Sequence, residues 1–495
     1  MTGLHGSMPD WLHERARLSP GATAVVAGKT AVSFAALEAR AAALANRLRA
    51  EGVRRGKIVA VLAANGLPFA EAVHAVPRAG GVLMPLNLRL ADAELAWQLR
   101  DAGAGLLLSD AANADRAARL ARETAETACI LLEDGGQGEA ASEAPPPFDL
   151  AAVHSVVYTS GTSGKPKGAQ LTYGNHLWSA TASALNLGIR RDDRWLACLP
   201  LFHVGGLAIL LRSAIYGIPA LLHEAFDPAR VNRAIDEEGV TIVSVVANML
   251  QRMLDERGGR PFPASLRCIL LGGGPAPEPL LRRCAAVNAP AVQTYGLTEA
   301  ASQVSTLSPE DALRKPGSAG KPLFGTELRI LDEAGRDCPP GVAGEIAVRG
   351  PTVTPGYLDD PAATAAALRD GWLHTGDAGY VDPEGYLYVL DRRDDLIVSG
   401  GENVYPAEVE AVLASHPEVA EAGVFAVDDE RWGRAPAAAV VLRPGAAVTA
   451  EALIGFCRER LARYKAPVRV HVVQALPRNA SGKLLRRELR EQLGS

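Results

Sequence analysis

The fold is decided by residues 153–168, which read Val153-His154-Ser155-Val156-Val157-Tyr158-Thr159-Ser160-Gly161-Thr162-Ser163-Gly164-Lys165-Pro166-Lys167-Gly168. An apolar, strand-like run passes directly into a loop that is rich in glycine, hydroxyl groups and lysine. Glycines allow backbone N–H groups to converge, hydroxyls add hydrogen-bond donors, and lysines add positive charge. Pro166 stiffens the segment between the two lysines. The stretch therefore predicts a strand followed by a loop that binds a polyanion.

Two well-known phosphate-binding patterns do not fit this stretch. A Walker-type loop requires Ser or Thr directly after its lysine, whereas Lys165 is followed by Pro166. A dinucleotide fold requires Gly-x-Gly-x-x-Gly after a strand, and neither this loop nor the run Gly272-Gly273-Gly274-Pro275 has that spacing. We therefore interpret residues 158–168 as a nucleotide-phosphate loop of another kind, suited to the phosphates of ATP.

Length and composition indicate an ordinary soluble protein with more than one domain. At 495 residues the chain exceeds the usual size of a single hydrophobic core. A net charge of −5 argues against general nucleic-acid binding. The six cysteines are scattered without a Cys-x-x-Cys pair, which favours reduced thiols in a cytoplasmic protein. The apolar run 204–211 is interrupted by Arg212 and is too short to span a bilayer.

Hydrophobic periodicity predicts an α/β fold with a large and a small domain. Helical and strand-like runs alternate from residue 33 to residue 271, as in a parallel sheet with crossover helices. After Gly320, short strands separated by Gly, Pro and Asp indicate a small β-rich subdomain. Residues 392–495 predict a mobile α+β domain, with Thr449 as a helix N-cap. We assign residues 1–391 to the large domain and place a hinge near Asp394.

Five motifs, in this order, give the chain a family resemblance. They are the loop 158–168, Tyr295-Gly296-Leu297-Thr298-Glu299, Gly371-Trp372-Leu373-His374-Thr375-Gly376-Asp377, Asp391-Arg392-Arg393-Asp394-Asp395 and Asn479-Ala480-Ser481-Gly482-Lys483. Together they resemble the adenylate-forming superfamily of acyl-CoA ligases, peptide-synthetase adenylation domains and luciferases. One departure is Asp391, where the superfamily usually has glycine.

The resemblance implies a nucleotide site for ATP and Mg²⁺. The implied nucleotide-binding residues are Thr159, Ser160, Gly161, Thr162, Ser163, Gly164, Lys165, Lys167, Gly272, Gly273, Gly274, Pro275, Tyr295, Gly296 and Asp377. Among them Tyr295 is expected to stack on adenine. Asp377, in a turn at the end of a predicted strand, is expected to accept hydrogen bonds from the ribose hydroxyls. Glu299 and Thr162 are the implied magnesium-site residues, since Mg²⁺ prefers oxygen ligands.

The resemblance also implies residues for the chemistry. Lys483, Arg392, Thr298 and Glu299 are the expected catalytic residues. Lys483 would bridge the substrate carboxylate and the α-phosphate, where a flexible point charge stabilises developing charge. Gly400, Gly401 and Glu402 resemble the loop that lines the approach of the thiol, which we expect to be coenzyme A because only a short tail follows Lys483. The alternative is that a separate carrier protein supplies the thiol.

The acid-binding residues are the part that the sequence specifies least. His203, Arg212, Thr294 and Ser302 are the candidates. Arg212 lies in an apolar helical run, so it either extends to solvent or faces an anion. The segments 270–277, 293–303 and 317–324 are similar to the 2-succinylbenzoate–CoA ligase subfamily of menaquinone biosynthesis, whose acid carries two carboxylates. Arg212, Thr294 or Ser302 would then hold the carboxylate that is not adenylated.

The sequence therefore predicts an ATP-dependent carboxylate–CoA ligase, with small molecules as its partners, no membrane span and no nucleic acid. A homodimer is a further expectation. Two alternatives remain: a general aryl- or medium-chain acyl-CoA ligase, for which Arg212 would be irrelevant, and a non-catalytic nucleotide-binding protein on the same fold. The combination of Lys483, Glu299, Asp377 and Arg392 argues against the second alternative.

Overall fold

The computed structural model describes residues 6–124, 127–132, 145–159, 165–273, 278–312, 314–332, 334–390, 397–404, 406–477 and 486–494. The chain divides into two compact units. The first unit comprises Met1–Leu88, Leu99–Val157 and Gly168–Leu390, and the second comprises Arg89–Gln98, Tyr158–Lys167 and Asp391–Ser495. The predicted hinge at Asp394 lies outside the described residues.

The stretch 153–168 contains one strand of a seven-stranded sheet, Val153–Thr159, and the first two residues of another, Lys167–Thr172. In spatial order the strands are Gly356–Tyr357, Lys167–Thr172, Val153–Thr159, Val82–Pro85, Ile58–Leu62, Leu106–Ser109 and Ala128–Leu131. The strand Ile58–Leu62 pairs in parallel with both of its neighbours. Its residues are buried throughout, as expected for a parallel strand covered on both faces.

A nine-stranded sheet carries Gly272, Thr294 and Tyr295 and leads into the turn with Thr298, Glu299 and Ser302. Its order is Lys321–Pro322, Ser305–Thr306, Ala291–Tyr295, Cys268–Gly272, Ile242–Val246, Trp195–Ala197, Ala220–Leu222, Thr23–Ala27 and Thr30–Ser33. The central strands are parallel and the edge pairs are antiparallel. Because the carboxyl ends of parallel strands meet at one edge, the loops after these strands are brought together there.

The described residues also form fourteen α-helices. They are Trp11–Leu18, Phe34–Ala50, Leu67–Arg78, Asp92–Asp101, Ala114–Glu123, Tyr173–Leu187, Val204–Tyr216, Pro228–Glu237, Ala247–Arg257, Glu278–Ala286, Pro361–Ala367, Pro406–Ala414, Ala450–Arg458 and Arg486–Leu493. Thr172 and Asn175 form a capping box that starts the helix Tyr173–Leu187. The N-cap prediction for Thr449 is confirmed, since its side chain accepts a hydrogen bond from Ala452 N. Among the described residues, no helix combines the length and apolarity needed to cross a membrane.

Three smaller sheets complete the described part of the fold, and one of them pairs Ser7–Met8 with Phe148–Asp149 in antiparallel register. The β-rich subdomain expected after Gly320 contains Glu327–Leu331, Gly344–Arg349, Trp372–Val381, Leu368–Arg369 and Leu387–Leu390. The sheet of the second unit contains Glu402–Val404, Ile397–Ser399, Gly433–Leu442, Val419–Asp429 and Arg469–Val472. The last strand pairs in parallel with Gly433–Leu442, whereas the other strand pairs of that sheet are antiparallel. The mixture of helices and sheets confirms the predicted α/β class with an α+β second unit.

The core of the first unit encloses a cluster of buried histidines. His74, His154 and His176 are 8%, 2% and 3% exposed. The rings of His154 and His176 lie 4.7 Å apart, and His176 Nε2 is 2.9 Å from Ser155 Oγ. Burial lowers the pKa of His74 to about 4 and that of His176 to about 3, and it lowers the pKa of His154 well below its ordinary value. All three side chains are therefore neutral at pH 7.

We expect these histidines to make the fold sensitive to mild acid. Their folded-state pKa values lie below the ordinary value of 6.5, so the unfolded chain binds more protons as the pH falls below about 6.5. Each histidine then removes roughly 1.4 kcal/mol of stability per pH unit until its folded-state pKa is reached. Urea unfolding at a series of pH values from 7.5 to about 5 measures this loss, and substitution of His154 by Phe should reduce its slope. An unfolding midpoint that stays constant over that range would contradict the prediction.

Candidate active site

Glycines shape the carboxyl edge of the nine-stranded sheet. Gly272 is the last residue of the strand Cys268–Gly272 and pairs in register with Val246. Gly296 directly follows the strand Ala291–Tyr295, and a Cβ added there would lie 1.6 Å from the carbonyl oxygen of Ser302. Only glycine therefore allows the chain after Tyr295 to fold back so closely on itself. This tight turn carries Thr298, Glu299 and Ser302.

The structure brings Tyr295 and Asp377 together in the first unit. The Tyr295 hydroxyl donates a hydrogen bond of 2.7 Å to Asp377 Oδ2, and the two residues are 7% and 4% exposed. Asp377 lies within the strand Trp372–Val381, next to an irregularity in its pairing with Gly344–Arg349. The expected turn at the end of a strand is thus wrong, because pairing continues beyond the Thr-Gly-Asp motif through Ala378 and Gly379. The roles of both residues toward a nucleotide stay predictions.

Glu299 is held by contacts to both its backbone and its carboxylate. Its carbonyl oxygen accepts a hydrogen bond of 2.7 Å from Thr354 N. Its Oε1 accepts a hydrogen bond of 2.9 Å from the Tyr357 hydroxyl. A half-buried carboxylate that is oriented in this way suits a hard cation, which takes oxygen ligands from one carboxylate together with substrate phosphates. The donor chemistry of Glu299 therefore fits a Mg²⁺ ion bound with ATP.

The turn after Glu299 has an unusual backbone. Ala301 and Ser302 have φ values of 52° and 104°, although neither is glycine. Such conformations cost on the order of 1–3 kcal/mol each and persist only where the surroundings enforce them. One enforcing contact is a hydrogen bond of 2.6 Å that the Ser179 hydroxyl donates to the Ala301 carbonyl oxygen. The helix Tyr173–Leu187, which carries Ser179, is therefore part of the support for this turn.

Arg212 is buried without a carboxylate partner among the described residues. It is 2% exposed, so the alternative in which it extends to solvent is excluded. Its Nη2 donates a hydrogen bond of 3.3 Å to Ser179 Oγ, and its guanidinium carbon lies 5.4 Å from the centre of the Trp195 ring. Its buried Nε has no hydrogen-bond partner. Burial lowers the pKa of Arg212, but arginine remains charged at physiological pH.

The other three predicted acid-binding residues have different surroundings. The Thr294 hydroxyl donates to the Ser305 carbonyl oxygen at 2.9 Å and lies 2.8 Å from Thr306 Oγ1. Ser302 is half-buried in the strained turn, one residue after Ala301. His203 is exposed at the N-cap of the helix Val204–Tyr216. Thr294 is thus hydrogen-bonded within the edge of the sheet, whereas Arg212 is hydrogen-bonded to Ser179 of the helix that supports the turn.

Three predicted loop residues of the second unit are described together. Gly400 approaches Trp432 so closely that an added Cβ would lie 2.4 Å from the indole ring. Gly401 has a φ of 85°, and the side chain of Glu402 is 5% exposed and paired with Arg89 of the same unit. This loop is therefore a closely packed, glycine-dependent hairpin between Ile397–Ser399 and Glu402–Val404.

Several predicted residues lie outside the described part of the chain. They are Ser160, Gly161, Thr162, Ser163, Gly164, Gly274, Pro275, Arg392, Asp394 and Lys483. Of the rest of the phosphate loop, Lys165 is exposed, Lys167 is half-buried, and Thr159 Oγ1 lies 3.5 Å from the Lys167 carbonyl oxygen. Their roles stay predictions.

Sequence reasoning missed the residues that support the site. Tyr357 and Thr354 lie more than fifty positions after Glu299, and Ser179 lies 122 positions before Ala301. None of the three belongs to a motif that the sequence singled out. The sequence pointed to this support only through Arg212, a charged residue in an apolar helical run. In the structure, Arg212 donates a hydrogen bond to Ser179.

Comparison with known families places both parts of the chain. Residues 12–358 match the family described as AMP-binding enzyme, and residues 408–483 match the AMP-binding enzyme C-terminal domain. The chain is 52% identical to a 2-succinylbenzoate–CoA ligase of Geobacillus kaustophilus and 49% identical to one of Bacillus cereus, in each case over 98% of both chains.

Solved structures give the same assignment. The o-succinylbenzoate CoA synthetase of Bacillus subtilis, as a double mutant bound to a product analogue, is 46% identical to this chain with a TM-score of 0.93, covering 98% of this chain and 99% of that one. Its complex with the acyl-adenylate intermediate has a TM-score of 0.76 at 46% identity and covers 98% of each chain. An amide bond synthetase of Marinactinospora thermotolerans is 31% identical with a TM-score of 0.87, over 97% of this chain and 99% of that one. The chain therefore belongs to the family of AMP-binding enzymes.

Proposed function

We propose that this enzyme is a 2-succinylbenzoate–CoA ligase, which converts 2-succinylbenzoate, ATP and coenzyme A into 2-succinylbenzoyl-CoA, AMP and pyrophosphate. Relatives with that name are about half identical to the chain along nearly its whole length. The solved relative from Bacillus subtilis was captured with ATP and a magnesium ion and with the acyl-adenylate OSB-AMP. Both kinds of ligand agree with the nucleotide site expected around Glu299 and Asp377.

The observation that carries the choice of acid is the buried, uncompensated charge of Arg212. A buried cation without a counterion is strongly unfavourable, so such residues are paired in the functional state. No carboxylate of the described residues pairs with Arg212, and its Nε has no hydrogen-bond partner. An acid with a second carboxylate supplies the missing anion. We therefore assign Arg212 to the carboxylate of 2-succinylbenzoate that is not adenylated.

The first half-reaction forms an acyl-adenylate. A carboxylate oxygen of the acid attacks the α-phosphorus of ATP, and pyrophosphate leaves. The acid is already ionised near neutral pH, so no general base is required. Lys483 is proposed to stabilise the charge that develops between the carboxylate and the α-phosphate, and residues 159–167 to orient the departing pyrophosphate. Mg²⁺ held near Glu299 would neutralise part of the negative charge of the phosphates.

The second half-reaction forms the thioester. The thiol of coenzyme A releases its proton to solvent and its sulfur attacks the acyl carbonyl carbon, and AMP leaves with the electron pair of the broken C–O bond. The hairpin with Gly400, Gly401 and Glu402 is proposed to line the approach of the thiol. Its packing supports that role, since Gly400 lies against Trp432 and the carboxylate of Glu402 is paired with Arg89. A cytoplasmic location and a homodimer stay predictions from the sequence.

A pyrophosphate-release assay with a panel of acids tests the function. We expect release with 2-succinylbenzoate, weak release with benzoate or octanoate, and 2-succinylbenzoyl-CoA only when coenzyme A is present. Release that is as fast with a simple aryl or medium-chain acid would favour the general acyl-CoA ligase. Absence of release with every acid would favour a nucleotide-binding protein without activity.

Substitution of Arg212 by Met tests the second carboxylate. Removal of one partner of a buried charge pair costs about 3 kcal/mol, so kcat/KM for 2-succinylbenzoate should fall roughly 100-fold. The matched control is the monocarboxylate 4-oxo-4-phenylbutanoate, which lacks the ring carboxylate and should lose little or gain. Equal losses for the two acids would contradict the assignment, because they would indicate a general defect of the variant.

Substitution of Tyr357 by Phe tests the magnesium site. The variant lacks the hydroxyl that donates to Glu299 Oε1, and a hydrogen bond to a charged group contributes about 1.5–3 kcal/mol. We expect the Mg²⁺ concentration for half-maximal pyrophosphate release to rise about tenfold or more. Tyr380→Phe is the matched control, since Tyr380 stacks on Tyr388 with ring centres 5.0 Å apart. An unchanged Mg²⁺ requirement in Tyr357→Phe would refute this role.

A further inference from the structure

A short chain of hydrogen bonds leads from the buried arginine to the turn that carries Glu299. Arg212 Nη2 donates to Ser179 Oγ at 3.3 Å, and the Ser179 hydroxyl donates to the Ala301 carbonyl oxygen at 2.6 Å. Ser179 is 2% exposed and lies in the helix Tyr173–Leu187. Because a hydroxyl has only one proton, the donation to Ala301 leaves the serine oxygen to accept from Arg212.

The chain of hydrogen bonds ends at a strained segment of backbone. Ala301 has φ 52° and ψ 38°, and Ser302 has φ 104°. Two adjacent non-glycine residues with positive φ stay in place only while outside contacts fix them. The Ser179 hydroxyl is such a contact, and it acts on the carbonyl group of the peptide unit between the two strained residues.

The same turn is anchored on its other side through Glu299. Thr354 N donates to the Glu299 carbonyl oxygen and the Tyr357 hydroxyl donates to its carboxylate. The helix of Ser179 also holds that neighbouring loop, because Asn175 Nδ2 donates to the carbonyl oxygens of Pro351 and Val353 at 2.8 Å and 2.9 Å. One helix therefore braces both sides of the turn.

We propose that Ser179 is a positioning residue that couples the acid site to the nucleotide site through the turn 297–302. The inference rests on the proposed function, in which the second carboxylate of the acid binds Arg212. An anion on Arg212 fixes the guanidinium, the guanidinium fixes the Ser179 hydroxyl, and the hydroxyl fixes the peptide unit between Ala301 and Ser302, two residues after Glu299. Occupation of the acid site thereby favours the turn conformation that binds the magnesium–nucleotide complex, and by linkage the nucleotide favours binding of the acid.

Binding without turnover measures this coupling. Calorimetry with Mg²⁺ and α,β-methylene-ATP, whose α–β bridge resists cleavage, gives the nucleotide Kd in the absence of acid, with 2-succinylbenzoate and with 4-oxo-4-phenylbutanoate. For the unaltered enzyme we expect the dicarboxylate to lower the nucleotide Kd about tenfold, a typical coupling factor. The monocarboxylate should leave the nucleotide Kd nearly unchanged because it places no anion on Arg212.

The decisive variant is Ser179→Ala. It removes the hydroxyl that connects Arg212 to Ala301, and it leaves the sequence of Arg212 and of the turn 297–302 unchanged. Its coupling factor should fall to about one, with a weaker nucleotide Kd in all three conditions. Ser183→Ala is the matched control: Ser183 lies one turn further along the same helix, is 1% exposed and has no hydrogen bond to the turn. It should keep the coupling of the unaltered enzyme.

Ala301→Gly provides a second test that removes no polar group. Glycine relaxes the left-handed conformation at this position, so the turn no longer depends on its outside contacts and the coupling factor should also fall. Retention of full coupling in either Ser179→Ala or Ala301→Gly would overturn the inference, as would an unaltered enzyme that binds 2-succinylbenzoate without any effect on the nucleotide Kd. Neither result would affect the proposed substrate.

Failure of the proposed substrate gives a different pattern. If the unaltered enzyme does not bind 2-succinylbenzoate, the proposed function fails, and the positioning role is then judged from the nucleotide Kd without acid. A weaker Kd in Ser179→Ala but not in Ser183→Ala would support that role. Equal Kd values in the two variants and the unaltered enzyme would overturn it.

Discussion

The missing side chain of Gly296 is the constraint on which the site depends. Because a Cβ at this position would collide with the Ser302 carbonyl oxygen, the chain can fold back directly after the strand Ala291–Tyr295 only with glycine. The turn that follows contains Ala301 and Ser302 with positive φ, and it carries Glu299 to a position where the Tyr357 hydroxyl donates to its carboxylate. The carboxylate position is thus an outcome of backbone sterics at the sheet edge, reinforced by side chains from distant parts of the chain.

Parallel sheet geometry explains why residues far apart in sequence serve one turn. The carboxyl ends of neighbouring parallel strands meet at one edge, so loops that follow them become neighbours whatever their separation in the chain. The helix Tyr173–Leu187 extends that arrangement, since Asn175 holds the loop before Thr354 and Ser179 holds Ala301. The candidate site is therefore supported by one helix and a sheet edge, and its turn contains two residues with positive φ.

The sequence predicted those parts of the molecule that depend on local pattern. An apolar run predicted the strand Val82–Pro85, and capping chemistry predicted Thr449 as a helix N-cap. The motifs that contain Glu299 and Asp377 could be recognised from the order of their residues alone. Tertiary contacts were not predictable in the same way. No local pattern indicates that Tyr357 donates to Glu299, or that the Thr-Gly-Asp motif lies within a strand rather than at its end.

Under the proposed function, the burial of Arg212 would allow it to select the substrate. A buried guanidinium without a carboxylate leaves much of its desolvation uncompensated, and its field also helps to keep the neighbouring His176 neutral by lowering the pKa of that residue. An acid with one carboxylate would bury the same cation without neutralising it, whereas a dicarboxylate compensates it. Discrimination then arises chiefly from the penalty against the wrong acid, which is how buried polar groups reject ligands that leave them unpaired. Under the proposed function, the same buried cation would therefore be the source of specificity for an acid with two carboxylates.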